Sequence, residues 1–300
     1  MAWSRPAPSR LARSEERAAW LFLLPSFVLF AVFTAWPVLS ALLISFSSWD
    51  LFNPPRLIFL DNYFNLWNDP IFRQVLGNTA YYVAAVVPLQ MLFGLLCALG
   101  LNRGLRGQAF FRVVYFLPVV TSTVAVGLIW AWLFNSNFGL INMGLSLLGI
   151  SDLPRWLVSS GWAMPAVIIV SVWQGLGYPM VLFLAGLQNI RPELYEAAAI
   201  DGASGWTRFR HITLPLLSPM TFFVLIVSII GSFQVFELVY VMTKAGPSNA
   251  TNTLVYYIYQ NGFMFYRMGY ASAAAMVLFL IVLVATLIQY RLQDRWVHYE

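Results

Sequence analysis

Residues 21–46 read LFLLPSFVLFAVFTAWPVLSALLISF and contain no charged side chain. At about 1.5 Å of rise per residue, a helix of this length crosses the roughly 30 Å of hydrocarbon in a bilayer. Comparable apolar stretches recur along the chain, and in lipid such stretches satisfy their backbone polar groups as helices. The pattern predicts an all-α membrane protein with six transmembrane helices, at residues 21–46, 79–101, 113–134, 162–187, 220–242 and 270–289.

The composition excludes an ordinary soluble domain. Hydrophobic residues make up 60% of the 300 residues and charged residues only 10%, whereas about a quarter of a soluble domain is charged. The strands of a membrane barrel would read as short alternating segments, but the apolar stretches here are long and continuous. Cys97 is the only cysteine, which excludes an internal disulfide and a multi-cysteine metal site.

The basic residues are distributed unevenly along the chain. Twelve of the 17 Lys and Arg residues lie in the N-terminal segment, in loops 102–112 and 188–219 and in the C-terminal tail, and five lie in the other three loops. The positive-inside rule therefore predicts that both termini are cytoplasmic, with an N-terminal segment at 1–20, a transmembrane domain at 21–291 and a tail at 292–300. The same bias explains the net charge of +5 without a nucleic-acid partner.

The hydrophilic loop at 188–218 joins the predicted fourth and fifth spans. Pro192 suits the first turn of a helix, and residues 194–200 are strong helix formers. Gly202 ends that helix, and a second short helix is predicted at 206–212. Two short helices joined by a sharp bend make a rigid protrusion at the membrane surface, and a rigid protrusion can transmit force to another protein.

Within this loop, EAAAIDGA at 196–203 is followed by FRHITLP at 209–215 and by Pro219. This pattern resembles the EAA loop in the permease subunits of ATP-binding-cassette (ABC) importers. The resemblance implies the ABC type I importer fold, in which the loop is a coupling helix that docks on the ATPase. It gives that role to five residues: Glu196, Ala197, Ala198, Asp201 and Gly202. Judged by residue chemistry alone, a surface helix that merely links two spans is an equal alternative.

Further stretches resemble the carbohydrate-uptake branch of these permeases, which includes the maltose, lactose and glycerol-3-phosphate permeases. The resemblance implies import of a sugar or oligosaccharide by alternating access across the cytoplasmic (inner) membrane of a prokaryote. The sugar stays unidentified, and glycerol phosphodiesters and other polyols stay open. The stretches are WD at 49–50, LDNY at 60–63, RVVYFLP at 112–118, WLFN at 132–135, VWQG at 172–175, FQVF at 233–236, GP at 246–247 and RLQDRWVHY at 291–299.

The same resemblance implies three kinds of protein partner in addition to the lipid bilayer. A second, homologous permease forms a heterodimer with this chain. A dimer of cytoplasmic ATP-binding subunits drives the pair, and an extracytoplasmic sugar-binding protein delivers the substrate.

The chain lacks the loop that binds the phosphates of ATP. That loop needs the pattern G-x-x-x-x-G-K-[ST], and the only lysine, Lys244, is followed by Ala245. We therefore expect no enzymatic activity and no catalytic residue in this chain, and we expect ATP and Mg²⁺ to bind the partner ATPase. The only two histidines, His211 and His298, do not form a metal-ligand motif, so neither a metal nor another cofactor is expected here.

Polar residues at membrane depth indicate a substrate pathway. Two spans carry such residues at spacings i, i+3, i+4 and i+7, which share one helix face: Ser171, Gln174, Gly175 and Tyr178 in the fourth span, and Ser228, Gly231, Ser232 and Val235 in the fifth. In the permeases that the chain resembles, the corresponding two helices line the sugar site. The pathway candidates are Trp173, Gln174, Tyr178, Ser228, Ser232 and Gln234. Helix-to-helix packing is the alternative role of such residues.

Glu237 is the one carboxylate well inside a predicted span. A stand-alone sugar transporter driven by ions would use such a group as a proton relay, and this is the alternative function. An interhelical hydrogen bond near the outer end of the fifth span is the simpler role for Glu237. A membrane enzyme would need clustered acids or histidines, which the sequence does not show.

Overall fold

The computed structural model describes residues 10–103 and 107–297. The sequence predictions that involve Arg5, Arg106 and His298 lie outside these residues. The α-helices are α1 (Arg10–Phe30), α2 (Trp36–Ser45), α3 (Asp61–Asn68), α4 (Pro70–Leu101), α5 (Gln108–Val120), α6 (Thr123–Leu133), α7 (Leu140–Leu147), α8 (Ser160–Gly175), α9 (Gly177–Gln188), α10 (Pro192–Ile200), α11 (Gly205–Arg208), α12 (Leu214–Leu216), α13 (Ser218–Phe233), α14 (Glu237–Met242), α15 (Leu254–Tyr259) and α16 (Met268–Leu292). Three π-helical turns (Ala31–Ala35, Phe209–Thr213 and Gln260–Met264), one 3-10 turn (Gln293–Arg295) and a two-stranded antiparallel pairing of β1 (Ser47–Ser48) with β2 (Arg56–Leu57) complete the described structure.

Six candidate spans are present in the described residues if each bent helix pair is taken as one span. Four are long apolar helical segments: Ala18–Ser45, Pro70–Leu101, Ser218–Met242 and Met268–Arg295. The other two are the pairs α5 with α6 and α8 with α9. The helical membrane fold predicted from the apolar stretches is therefore confirmed, and the corrections concern where its helices begin and where they break.

The second span begins well before the predicted residue 79. Asp69 caps the N-terminus of α4 by accepting a hydrogen bond from the Ile71 amide at 2.8 Å, and Pro70 occupies the first turn, where its missing N–H costs nothing. The same carboxylate accepts hydrogen bonds from Tyr257 Oη at 2.6 Å and Tyr270 Oη at 2.9 Å. Asp69 therefore ties the start of α4 to α15 and α16.

The predicted third span, 113–134, is not one continuous helix. α5 and α6 meet at 96°, with extended backbone at Thr121 and Ser122. Pro118 lacks an amide hydrogen, and Thr121 Oγ1 bonds back to the Leu117 carbonyl at 2.9 Å, a local bond that competes with the helical ladder. The continuous helix predicted over this region is wrong.

The predicted fourth and fifth spans are also interrupted. α8 and α9 are bent by 42°, because Pro179 cannot donate to the Gly175 carbonyl and its ring displaces that carbonyl. α13 ends at Phe233, and α14 begins at Glu237. The carbonyl of Val235, inside this second break, accepts a hydrogen bond from Thr253 Oγ1 at 3.1 Å. Pro88 and Pro165, by contrast, lie inside α4 and α8 without interrupting either helix.

The first span lacks a packing partner along its N-terminal half. Every side chain at 18–30 is exposed, and Phe22 keeps 83% of its surface accessible. Only α2, the C-terminal part of this span, packs against α16. An apolar helix with this exposure must be covered by lipid or by another membrane protein.

Three apolar clusters follow one another along α4, and the one at its start, around Phe72 and Val75, joins it to α15 and α16. The other two flank the bends of the spans. The first of these two surrounds Val86, Val167 and Val239, and it joins α4 to α8 and α14. The second surrounds Leu101 and Phe183, and it joins the other end of α4 to α9 and α13. The residues between these two clusters form the site described next.

Candidate functional site

A cavity of about 330 Å³ lies where the three broken spans meet α4. Each break contributes to its wall, since the lining includes the start of α6, both sides of the bend between α8 and α9, and residues on both sides of the break between α13 and α14. The lining residues are Tyr82, Val86, Gln90, Val119, Thr123, Ser171, Gln174, Gly175, Tyr178, Pro179, Val227, Ser228, Gly231, Ser232 and Leu238.

Gln174 connects the wall of this cavity to the break in the third span. Its side chain is 8% exposed, and Nε2 donates to Thr123 Oγ1 at 3.2 Å and to the Thr121 carbonyl at 3.5 Å. A backbone carbonyl freed by a helix break inside a membrane needs such a donor, because hydrocarbon offers none. Gln174 therefore both lines the cavity and holds the broken helix in place.

A second polar network joins α4 to α8 at the same depth. Tyr82 Oη donates to Ser171 Oγ at 2.8 Å, and Ser171 Oγ donates to the Val167 carbonyl at 2.8 Å. Gln90 Nε2 donates to the Ser171 carbonyl at 2.8 Å. The cavity wall is thus fixed by hydrogen bonds on two sides, which orients its polar groups before any ligand arrives.

Two glycines flank the bend because other groups approach them closely. A Cβ atom on Gly175 would collide with the Gln90 side-chain amide. A Cβ atom on Gly177 would collide with the Tyr115 carbonyl oxygen and would lie 3.0 Å from Phe116 Cα. The first obstacle is the end of a flexible side chain, whereas the second is backbone, so Gly177 is the stricter requirement.

The polar groups of the cavity wall are neutral. Its lining includes hydroxyl groups from Ser, Thr and Tyr, two side-chain amides and apolar side chains, but, within residues 10–103 and 107–297, no Asp, Glu, Lys, Arg or His. Hydroxyls and amides both donate and accept hydrogen bonds. The wall can therefore bind a solute rich in hydroxyl groups without the desolvation cost of a buried charge.

The six pathway candidates from the sequence do not all lie together. Four of them line the cavity: Gln174, Tyr178, Ser228 and Ser232. Gln234 lies in a smaller adjoining cavity that shares Thr123 and Leu238 with the first. Trp173 lines neither cavity and instead packs edge-on against Trp130, with ring centroids 5.4 Å apart.

Three cavity residues were missed in the sequence: Tyr82, Gln90 and Thr123. Gln90 is a polar residue in the middle of the predicted second span, which is itself a signal of function or of interhelical contact. Thr123 follows Thr121 and Ser122, a polar run inside the predicted third span. Tyr82 gave no comparable signal, since tyrosine is common in membrane helices.

Glu237 does not form the predicted interhelical hydrogen bond. It is exposed in the first turn of α14 and faces the smaller adjoining cavity. Within residues 10–103 and 107–297, its carboxylate has neither a hydrogen-bond partner nor an ion-pair partner. Because an acidic group at a helix N-terminus is favoured by the helix dipole, this position is stable without one.

The loop between α9 and α13 consists of two short helical segments joined by a sharp bend, as predicted. α10 begins at Pro192, and Gly202 adopts a left-handed conformation with φ of 77° immediately after it. Ser204 then caps α11 by accepting a hydrogen bond from the Thr207 amide at 3.2 Å. The second helix is longer than the predicted 206–212, because α11, a π turn and α12 follow one another without a gap from Gly205 to Leu216.

Four of the five predicted coupling residues are fully exposed on this loop. Glu196, Ala197, Asp201 and Gly202 are exposed, and Ala198 is half-buried. Ile200 beside them leaves 87% of its surface accessible.

The inner side of the loop is fastened to the membrane bundle. Tyr195 Oη and Thr213 Oγ1 lie 3.0 Å apart and share a hydrogen bond between the two halves of the loop. Leu194, Ile212 and Leu216 pack against the apolar cluster around Leu101 and Phe183. The loop is therefore in contact with the cluster that includes α4 and α9, both of which line the cavity.

Comparisons with known proteins show the family of the chain and a similar fold. Residues 90–298 match the family described as binding-protein-dependent transport system inner membrane component. The probable ABC transporter permease protein YesP of Bacillus subtilis strain 168 is 39% identical over 97% of this chain and 95% of its own length. The lactose transport system permease protein LacF of Rhizobium radiobacter is 37% identical over 94% and 96%. A solved bacterial alginate ABC transporter, in complex with a periplasmic protein that holds an alginate pentasaccharide, contains a chain with a TM-score of 0.82 at 23% identity, covering 96% of this chain and 98% of that one.

Proposed function

The chain belongs to the family of binding-protein-dependent transport system inner membrane components, and we propose that it forms one half of the pathway by which an ABC importer takes up a sugar or oligosaccharide. The membership makes it a membrane permease of an ABC importer. The substrate class, the partner subunits and the roles of individual residues are the parts that we propose.

The neutral lining of the cavity is the main observation that supports a sugar as the substrate. Its hydroxyl and amide groups suit the many hydroxyls of a sugar, and no charge on the wall selects for an ion. Two of the similar proteins carry a saccharide in their names, lactose in one and alginate in the other. We assign substrate contact to Gln174, Tyr178, Ser228 and Ser232.

ATP hydrolysis belongs to a separate subunit in this proposal. Glu196, Ala197, Ala198, Asp201 and Gly202 form the surface on which that ATPase docks, supported by their exposure on a rigid loop. Closure of the ATPase dimer would move α10, and the cluster around Leu101 and Phe183 would carry the motion to α4 and α9. The cavity would then open alternately to the two sides of the membrane. This chain itself binds neither ATP nor Mg²⁺.

A second, homologous permease completes the pathway. The cavity is not closed by the described residues of this chain, and α1 leaves its apolar surface uncovered. Both features support a heterodimer in which the two permeases enclose the substrate. An extracytoplasmic sugar-binding protein delivers the substrate on the side opposite to the coupling loop.

The complex is placed in the cytoplasmic membrane, with both termini of this chain and the coupling loop in the cytoplasm. The support is the distribution of the basic residues, which favours that side for the termini and for residues 188–219.

The test is reconstitution of the complex purified from native membranes into liposomes, with ATP inside and a ligand-loaded binding protein outside. We expect sugar uptake that depends on ATP. Glu196→Lys should abolish this uptake without changing membrane insertion, whereas Glu193→Lys, which changes an exposed acid on the same helix outside the proposed docking surface, should retain most of it.

One result would replace this proposal by the ion-coupled alternative. The chain would purify without an ATPase, transport sugar in response to a proton or sodium gradient, and lose that transport in Glu237→Gln.

A further inference from the structure

A second, larger cavity lies between the loop and the end of α4, separate from the site that we assign to the substrate. Its volume is about 690 Å³. It is lined by Leu96, Leu99, Asn102, Arg103, Leu187, Tyr195, Gly205, Trp206, Arg208, Phe209 and Thr213. None of these residues belongs to the substrate pathway or to the docking surface of α10. Tyr195 and Thr213 brace the loop.

The inner part of this cavity is apolar and reaches membrane depth. Leu96 and Leu99 lie in the last two turns of the span Pro70–Leu101, and Leu96 is 52% exposed. Trp206 and Phe209 from the loop face them, with ring centroids 5.5 Å apart. Trp206 keeps 69% of its surface accessible, as tryptophans do at the level of lipid headgroups.

The outer part of the cavity carries positive charge. Arg103 and Arg208 line it, and among the residues that the structure describes no Asp or Glu does. Arg208 Nε is buried and has no hydrogen-bond partner among the described residues. A buried guanidinium donor without an acceptor is costly, so the cavity supplies a site for an anionic oxygen.

We propose that this cavity binds an acidic phospholipid of the cytoplasmic leaflet. The phosphate would accept hydrogen bonds from Arg208 and Arg103, and one acyl chain would lie along Leu96, Leu99 and Phe209. Basic pockets between helices on the cytoplasmic side of a membrane bind lipids of this kind. The inference rests on the proposed cytoplasmic placement of the loop, but it does not depend on the substrate or on transport.

The proposal has a mechanical consequence. The lipid would touch α4 on one side and α11 on the other, so it would fasten the second half of the coupling loop to a helix that lines the substrate cavity. The fraction of acidic lipid in the bilayer would then determine how tightly the second half of the coupling loop is held to α4.

The experiment measures lipid retained by the purified complex. The complex is exchanged into nanodiscs of phosphatidylcholine with a small fraction of phosphatidylglycerol, and native mass spectrometry counts the phosphatidylglycerol that stays bound. Arg208→Gln and Arg103→Gln should each weaken retention about fivefold, since a basic residue near an acidic membrane contributes about 1 kcal/mol. Arg210→Gln is the matched control, because Arg210 is exposed on the same loop and does not line the cavity.

A photoactivatable phosphatidylglycerol locates the site without any substitution. We expect its cross-links in the peptide that contains Trp206 and Phe209 and in the peptide that ends α4. Equal retention in all three variants, or cross-links elsewhere only, would overturn the proposal. If Arg208→Gln releases the ATPase while phosphatidylglycerol retention stays at the wild-type level, the cavity is a protein interface and the lipid assignment is wrong. None of these readouts requires sugar uptake, so a failure of the transport proposal would be recognised separately.

Discussion

The left-handed conformation of Gly202 allows the coupling loop to be tested by substitution. Residues other than glycine pay about 1–2 kcal/mol to adopt this conformation, and asparagine pays less than alanine. Because a Cβ atom on Gly202 would meet no atom of this chain within 4 Å, the cost inside the permease is conformational only. For Gly202→Ala, 1–2 kcal/mol shifts the equilibrium between bent and unbent loop about 5- to 30-fold toward the unbent form.

This reasoning predicts an order of activities. ATP-driven uptake in proteoliposomes should be highest for the wild type and lower in turn for Gly202→Asn, Gly202→Ala and Gly202→Val. Asparagine tolerates positive φ better than alanine, and a β-branched residue tolerates it least. Gly144→Ala is the control, since Gly144 also has open space around it and lacks a positive φ, lies inside α7 and lines neither cavity. It should match the wild type.

The position of asparagine in this order separates two explanations. Asparagine is larger than alanine but tolerates the left-handed region better. If Gly202→Asn transports less than Gly202→Ala, the glycine is needed for close approach of the ATPase and our conformational argument is refuted. Equal uptake in all variants would show that the bend does not limit coupling.

Three further predictions concern the membrane bundle. Gly177→Ala should destabilise the protein by about 1–3 kcal/mol, seen as a lower melting temperature in detergent, because the new methyl group meets the Tyr115 backbone; an unchanged melting temperature would contradict the close approach. Gln174→Leu should raise the half-saturating sugar concentration about 2- to 12-fold, the effect of one neutral hydrogen bond, while ATPase co-purification stays normal; an unaltered concentration dependence would remove Gln174 from the pathway. Burial opposes ionisation of Asp69, but hydrogen bonds from Tyr257 and from the Ile71 amide more than compensate, so the pKa of Asp69 lies below 3.8. A lowered pKa stabilises the fold above pH 3.8 and loses that effect as the pH falls through the folded-state pKa, so Asp69→Asn, which keeps the cap, should lower the melting temperature at pH 7 and progressively less below pH 3.8; a difference independent of pH would exclude the charge as its cause.

The sequence predicted those features that depend on local chemistry. Apolar length located the spans, and the Pro192 and Gly202 signals located both ends of α10. The same rules would have placed the start of α4, because Asp69 and Pro70 form an ordinary N-cap and first turn, but the predicted span was drawn from hydropathy alone.

The breaks in the spans could not be predicted from local sequence, because residues far away in the chain stabilise them. The gap after Phe233 contains neither glycine nor proline. The Val235 carbonyl in this gap accepts a hydrogen bond from Thr253, which directly precedes α15. Likewise, the break after α5 is held by Gln174, more than fifty residues away. Periodicity placed Gln174 and Ser171 on one face of α8 but could not show that Tyr82 and Gln90 would face them.

The uncovered first helix also bears on how the protein is made. Among the described residues, every side chain at 18–30 is exposed, and this span contacts α16 through α2. The insertion of α1 therefore depends on its partitioning into lipid more than on packing against other helices of this chain, and residues 21–46 are uncharged in keeping with that demand. A single charge introduced there would be expected to act during biogenesis, before the bundle exists to be destabilised.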